Sequence, residues 1–416
     1  MSIDRRALLR GGGGMGLSAA LGLGPASALA ASASAANSAS LPDRRNFAPK
    51  GIDLNAAYTH VMGRFAVAAA QDYLGIRATD PTRNWPARNP RDEAVAHYAA
   101  LIGADPTEIA VVPSTLEGEN LIGDALGLGP GAGVVTDALH YDAALAWYGE
   151  RARRAMPLTV VAPRDGAFDY ADFDRAITPE TRLVAVSHVT SFTGYRHDLK
   201  TLCEIAHAKG ALVYADVIQS AGAIPLDVRE SGVDFCCAGT YKWLMGDFGL
   251  AFLYVKASVL PRLRRVQFGW RGLVDYRSHV LPGDPPGPPI GNWALDETTA
   301  GIFEVSTPNW QGLAIASAAL SYIRSRGVEA IERHRLPLIA HLRKRLADAG
   351  HVPLAPASAQ GPALVLAKPG MRARYGAELG AANIQTTLYR DRIRISPSVH
   401  NDMDDVDRIA DILVRP

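Results

Sequence analysis

The apolar residues of this chain gather in short runs rather than long ones. Six runs recur after residue 130: GVVTDA from Gly133, LTVVAP from Leu158, RLVAVSHV from Arg182, ALVYADV from Ala211, DFCCAG from Asp234 and LAFLYV from Leu250. Each is nearly continuous, and stretches of helical spacing separate them. A strand that is apolar on both faces is covered on both faces, so the pattern predicts a mostly parallel sheet between helices. Ligands of such sheets sit beyond the carboxyl ends of the strands. Helical spacing also predicts helices over 54–74, 91–102, 311–326 and 330–349, and a last one from Asp404. The Pro/Gly-rich segment LPGDPPGPPIGNW (281–293) reads as a loop. Short runs ALVLAK and RIRIS among the C-terminal helices predict a smaller α+β domain. The expected organisation is therefore a large α/β domain over 51–300, opening with a helical segment, and a small domain over 301–416.

The N-terminus breaks the pattern. MSIDRRALLRGGGGMGLSAALGLGPASALAAS begins basic, continues with Gly, Ala and Leu, and ends in small residues. Charge, apolar stretch and the A-x-A site Ala28-Leu29-Ala30 stand in the order of a secretory signal, with cleavage after Ala30. Arg5-Arg6 followed by Leu8 and Leu9 resembles a twin-arginine export signal, although Asp4 replaces the usual Ser or Thr. The expectation is a signal over 1–30, a tether over 31–50, the twin-arginine export machinery as partner and a periplasmic or secreted product. That route carries folded proteins and suits an enzyme that takes up its cofactor before crossing.

Composition narrows the function. The 416 residues are 48% hydrophobic and 20% charged, which is globular and long enough for two domains. A formal net charge of +1 gives no bulk attraction to nucleic acid or to a membrane surface. No apolar run beyond the leader is long enough to span a bilayer. Cys203, Cys236 and Cys237 are an odd count with two adjacent, which argues against a disulfide framework. No Cys/His cluster has zinc spacing, so no metal is expected.

Two segments carry candidate chemistry. GLGPGAG (127–133) imitates a dinucleotide fingerprint, but its glycines follow a helix and precede a strand, the reverse of what that fingerprint needs. YADVIQSAG (214–222) places Asp216 at the carboxyl end of an apolar strand. An unpaired carboxylate is costly to bury there, so it should face a cation. Alone it could equally cap the next turn. One strand later, CCAGTYKWLMG sets Lys242 in an apolar patch. Neighbouring strand ends would aim both into one crevice. That pairing suits pyridoxal phosphate: the lysine forms the Schiff base and the carboxylate keeps the pyridine nitrogen protonated. Apolar surroundings lower the lysine pKa and make the amine nucleophilic.

DVIQSAGAIPLDV followed by DFCCAGTYKW resembles the D-x-x-Q and (S/T)-x-(H/Y)-K segments of the class V aminotransferases, a branch of the fold-type I pyridoxal-phosphate enzymes. The resemblance covers nearly all of the chain after the leader. It implies that Lys242 holds the cofactor, that Asp216 pairs the pyridinium and that Gln219 reaches the ring hydroxyl. PSTLEGENL (113–121) resembles the phosphate loop, with Ser114, Thr115 and Leu116 at a helix start. Ser114-Thr115 also reads as an ordinary N-cap, and the two roles are compatible. Leu116 stands where many relatives have threonine. LHYDAAL (139–145) resembles the segment whose ring stacks on the cofactor. Tyr141 fits that position, with His140 the alternative if the register slips by one. Thr240 and Tyr241 would add phosphate contacts, with Gly239 in place of a common serine. In SHVTSFTG (187–194) Ser191 replaces a common Asn. FEVSTPNW (303–310) resembles F-E-x-G-T-P and implies that Thr307 reaches the phosphate in a partner subunit, hence a homodimer with shared active sites. RIRISPSVHN (392–401) implies that Arg394 clamps the substrate carboxylate; His400 replaces a tyrosine.

The implied activity is that of a pyridoxal-phosphate enzyme acting on an amino acid, a small-molecule substrate, aminotransferase-like by default. Epimerisation, with Tyr141 as a second acid/base, and β-elimination remain alternatives, and LHYDAAL and GTYKWLMG look closest to the isopenicillin N epimerase-like branch. A cysteine desulfurase needs a mobile-loop cysteine in the C-terminal half, and no cysteine follows Cys237. The rivals of other classes are a non-catalytic binding protein on the same fold and a nucleotide-dependent oxidoreductase.

Overall fold

The computed structural model describes residues 40–80 and 89–415. The leader, its cleavage site and residues 31–39 of the expected tether lie outside the described residues. A seven-stranded sheet runs through the large core in the order Ile109–Val112, Ala251–Val255, Phe235–Gly239, Leu212–Asp216, Thr181–Ser187, Gly133–Asp137, Leu158–Val161. Only Ala251–Val255 is antiparallel to its neighbours, so the sheet is mostly parallel, as the apolar runs predict. All six expected strands are present. The edge strand Ile109–Val112 has only four residues and gives too short a pattern to stand out.

Alternation along the strands explains the continuous runs. Val135, Val184, Val186, Val213, Ala215, Cys236 and Ala238 join the core on one face. Val134, Leu183, Ala185, Leu212, Tyr214, Phe235 and Cys237 join the core on the other. Successive side chains point to opposite faces, and both faces are covered, so the middle positions of the inner strands are apolar on both sides. Registers Ser187↔Asp216 and Asp216↔Cys237 align the carboxyl ends.

The helices Pro90–Leu101, Trp310–Arg326, Val328–Asp348 and Met403–Leu413 agree with the expected spans to within two residues. The expected helix over 54–74 does not: the helix is Arg64–Thr79. Residues before it are drawn into long-range bonds instead. Ile52–Asp53 pairs in parallel with Ile384–Gln385, Ala57 N donates to Ser396 Oγ at 3.0 Å, and His60 N donates to Tyr241 O at 3.0 Å. The segment 40–50, expected as tether, is anchored. Asp43 N donates to Val399 O at 2.7 Å, its carboxylate accepts from Asn46 and Tyr322, and Phe47 is buried in the large core. Apolar burial and a satisfied carboxylate outweigh the polar composition that suggested a tether.

At the C-terminal end Leu364–Ala367, Arg392–Ile395 and Thr387–Leu388 form a three-stranded antiparallel sheet with its own core, which includes Ile52 and Leu54. Helix Trp310–Arg326 packs against Arg64–Thr79 and Pro90–Leu101 and shares the large core. The Pro/Gly-rich loop closes an antiparallel hairpin of Leu273–Arg277 and Asn292–Leu295, so its last residues are strand. No described helix is long and apolar enough to cross a membrane.

Candidate active site

Asp216 ends its strand 6% exposed. One carboxylate oxygen accepts from Ile218 N at 2.9 Å, and no ion pair engages the carboxylate among the described residues. Burial lifts its pKa to about 6, against the Ile218 bond and the nearby charges of His140 and Lys242. Lys242 lies in the turn after the neighbouring strand. Burial pulls its amine down to about 8, with Asp216 opposing and Arg394 assisting. The apolar residues around it are anchors. Trp243, Leu244 and Met245 are each 1% exposed, and Trp243 Nε1 donates to Gln219 Oε1 at 3.1 Å. Met245 takes φ 58°, which a non-glycine side chain tolerates only where the surroundings hold it. Here Met245 N donates to Lys242 O at 2.9 Å and Gly246 N to Thr240 O at 2.8 Å, so the turn is closed under the lysine. Gln219 also donates to Ala57 O at 3.0 Å, which ties the N-terminal segment to the site.

Ser114 caps helix Thr115–Ala125 by accepting from Glu117 N at 3.1 Å. That leaves the N–H groups of Thr115 and Leu116, which a helix cannot pair within itself, as anion donors. Thr115 Oγ1 accepts from Gly239 N at 2.8 Å and clips the helix start to the strand that leads to Lys242. A Cβ on Gly118 would lie 2.7 Å from Cys237 Sγ, so glycine is what lets this helix approach the sheet. A Cβ on Gly239 would stand 3.1 to 3.3 Å from Ile218, Tyr241 and Thr115 Oγ1, which shows why a serine is not accommodated here without adjustment. Thr240 is held from within its own loop. It is fully buried and its hydroxyl donates to the carbonyls of Asp247 and Leu250, so it clips the lysine loop and has no proton left for a phosphate. The Tyr241 ring stacks on Phe248 at 4.7 Å, with Lys242 Nζ 5.6 Å from its centroid.

The two ring candidates separate cleanly. His140 is fully buried and bonded at both nitrogens, to Ser187 Oγ at 2.9 Å and to Glu119 Oε1 at 2.8 Å. Burial opposes its charge, but Glu119 more than offsets this and lifts the imidazole to about 9. Tyr141 is 43% exposed, and its phenol feels Asp142, Asp216 and Tyr389. The Tyr141 ring is thus open, while the His140 ring is enclosed. Glu119 stands inside PSTLEGENL; a charge among apolar helix positions was the signal that could have singled it out.

Arg394 is 4% exposed on strand Arg392–Ile395. It donates to Ser191 O and to Thr387 Oγ1, each at 3.2 Å, and its Nε is buried without a partner. Ser191 thus contributes its carbonyl rather than a side chain. Burial lowers the guanidinium, and Tyr389, Arg392, Tyr241 and Tyr58 all act on it. Tyr58 and Tyr389 are site neighbours that the motifs did not contain, and Arg392 lies in RIRISPSVHN without having been singled out. His400, further from the crevice, contacts Asp53 O and stacks on Phe47. Thr307 is exposed in a cavity of about 340 Å³ that Pro113, Glu117 and Gly249 also line.

A lysine with a depressed pKa, a buried carboxylate with an oxygen to spare, a helix start with free N–H groups and a buried arginine with an unused Nε fit pyridoxal 5′-phosphate. Lys242 would take its aldehyde, Asp216 its ring nitrogen and Thr115 with Leu116 its phosphate. The fold and this site define a fold-type I pyridoxal-phosphate enzyme. The model of the family described as Aminotransferase class-V matches residues 66–409, so the chain belongs to the class V aminotransferase family. It is 30% identical over 348 residues to the uncharacterized aminotransferase YcbU of Bacillus subtilis, covering 82% of this chain and 88% of that protein. It is 27% identical over 381 residues to isopenicillin N epimerase of Streptomyces clavuligerus, with 86% and 90% covered. The apo cysteine desulfurase of Thermococcus onnurineus NA1 shares the fold at TM-score 0.77 and 22% identity, over 90% of this chain and 98% of that one. So does a C-DES mutant with glycine covalently linked to its PLP cofactor, at TM-score 0.77 and 20% identity, over 90% and 99%.

Proposed function

We propose that this protein is an aminotransferase-like enzyme that moves a proton at the Cα of a small amino acid. The observation that carries the reading is the proximity of Lys242 to both Asp216 and Arg394, whose charges act on its amine, with all three perturbed by burial. When bound, pyridoxal phosphate supplies an electron sink for negative charge at Cα. Asp216 keeps that sink protonated. Arg394 holds the α-carboxylate through the fork that matches it. Lys242 Nζ, its amine pulled down to about 8 by burial, would take the Cα proton and carry it along that face away from Cα.

Epimerisation is the second reading. It needs an acid on the opposite face, and the Tyr141 phenol, kept protonated by burial and by Asp142, is the group available. Thiol chemistry has no support. All three cysteines are buried with thiol pKa values raised by burial, Cys236 to about 12.

The homodimer belongs to this proposal. Hairpin Leu273–Arg277/Asn292–Leu295 exposes Val274, Tyr276 and Trp293 at half or more of their surface, an apolar face suited to a second copy. The twin-arginine leader, and with it a periplasmic or secreted location, is likewise proposed, on the order of charge, apolar stretch and cleavage site alone.

The test is an absorption spectrum of the purified mature chain before and after borohydride, beside Lys242→Ala. A visible band that borohydride fixes to Lys242 and that Lys242→Ala lacks supports the enzyme. Screening amino acids for keto-acid, inverted or eliminated product then separates the three reactions. Absence of a band after added pyridoxal phosphate would sink the enzyme reading and favour a binding protein on this fold. N-terminal sequencing of exported protein should begin at Ala31.

A further inference from the structure

Arg394 has a second arginine beside it. Arg392 and Arg394 are two apart in a strand, so they share one face, while Ile393 and Ile395 turn into the C-terminal core. Both reach the same loop of the large domain. Arg394 Nη1 donates to Ser191 O at 3.2 Å and Arg392 Nη1 to Phe192 O at 3.4 Å. Both have Nε buried without a partner, and neither meets a carboxylate among the described residues. Two like charges held together without a counter-ion are unfavourable, and the repulsion adds to burial in lowering Arg394.

The Arg392 guanidinium is fixed between two rings, 4.3 Å from the Tyr389 centroid and 5.0 Å from that of Phe192. Such stacking orients the plane and leaves its edge free to donate. Tyr389, 40% exposed, also acts on Tyr141 and Arg394, so the stack stands beside both at the open side of the site. Neighbouring same-face positions on a strand stand about 6.6 Å apart. That is the scale of the two ends of a short dicarboxylic acid.

We propose that the site selects amino acids carrying a second carboxylate, with Arg394 holding the α-carboxylate and Arg392 the side-chain one. This rests on the reading of Arg394 as the α-carboxylate clamp. Arg392 is then the residue that sets specificity, and the two guanidinium groups, which meet no carboxylate among the described residues, find their counter-ions in the substrate. A neutral side chain of equal length leaves Arg392 without one.

The experiment titrates cofactor-saturated protein with L-glutamate and with L-glutamine, following the visible spectrum, and with glutarate and pentanoate by calorimetry. The wild type should bind L-glutamate about tenfold to a hundredfold more tightly than L-glutamine. Arg392→Met should remove that preference with little change for L-glutamine, and Arg392→Lys should retain part of it. Equal affinity in the wild type, or a preference that survives Arg392→Met, overturns the inference alone. The wild-type comparison needs no variant, so a misfolded Arg392→Met does not block it. Glutarate bound through Arg392 without any amino-acid response upholds the paired arginines and overturns the amino-acid reading. No binding of either kind overturns both.

Discussion

His140 and Glu119 meet as a buried pair, Nε2 to Oε1 at 2.8 Å, on the floor of the crevice that carries Asp216. Tyr148 OH donates to the same oxygen at 2.6 Å, and Ser187 Oγ holds His140 Nδ1. Strand register sets Ser187 beside Asp216, so the imidazolium places positive charge near the carboxylate that must stay ionised. Breaking a buried pair from one side strands the other charge. Glu119→Gln should therefore cost about 3 kcal/mol at pH 6 in chemical denaturation. His140 has a folded pKa raised to about 9 from 6.5, so its contribution is complete below pH 6.5 and fades as pH rises through 9. The gap between wild type and variant should close over that window.

Lys242 gives the opposite sign. Its amine falls to about 8 on folding from an ordinary value of 10.5, so burying the charge opposes folding below pH 8 and stops doing so above 10.5. Cofactor-free Lys242→Met should be more stable than cofactor-free wild type by about 1 to 3 kcal/mol at pH 7. The gain should shrink toward pH 10.5 in thermal or denaturant unfolding. In the wild type, covalent capture of pyridoxal phosphate should speed up as pH rises through about 8, where the amine becomes neutral.

Arg394→Lys keeps the charge but loses the planar fork and its bonds to Ser191 and Thr387. The loss should fall on substrate binding, with KM rising about thirtyfold or more and kcat changing less. Steady-state kinetics on the best amino acid checks this. A kcat loss at constant KM would assign Arg394 to the chemical step instead.

Gly118→Ala would push a methyl to 2.7 Å from Cys237 Sγ. Overpacking of this kind costs about 1 to 3 kcal/mol. Because the same helix presents Thr115 and Leu116, pyridoxal phosphate should also dissociate faster, measured by loss of the visible band on dilution. Cys237→Ala in the same chain should relieve part of both effects.

Much of this was legible in the residues. The six apolar runs named the sheet because a strand buried on both faces can hold only apolar side chains. Asp216 and Lys242 stood out because a carboxylate and a lysine are costly inside such a core unless chemistry needs them. The helix forecast over 54–74 failed because its residues bond to Ser396, Gln385 and Tyr241, distant partners that local spacing cannot reveal. The hold of the Asp247 and Leu250 carbonyls on the Thr240 hydroxyl, within its own loop, was likewise invisible to the motif.

The apolar strand runs and the motif pair follow from patterns between near neighbours, and the sequence alone determined them. Three-dimensional packing decided the rest. It chose Tyr141 over His140 as the open ring, by closing Glu119 and Ser187 around the imidazole. It also set Arg392 beside Arg394 between Phe192 and Tyr389. Those contacts join segments up to two hundred residues apart. Their energy depends on burial and on mutual distance, which exist only once the chain has folded.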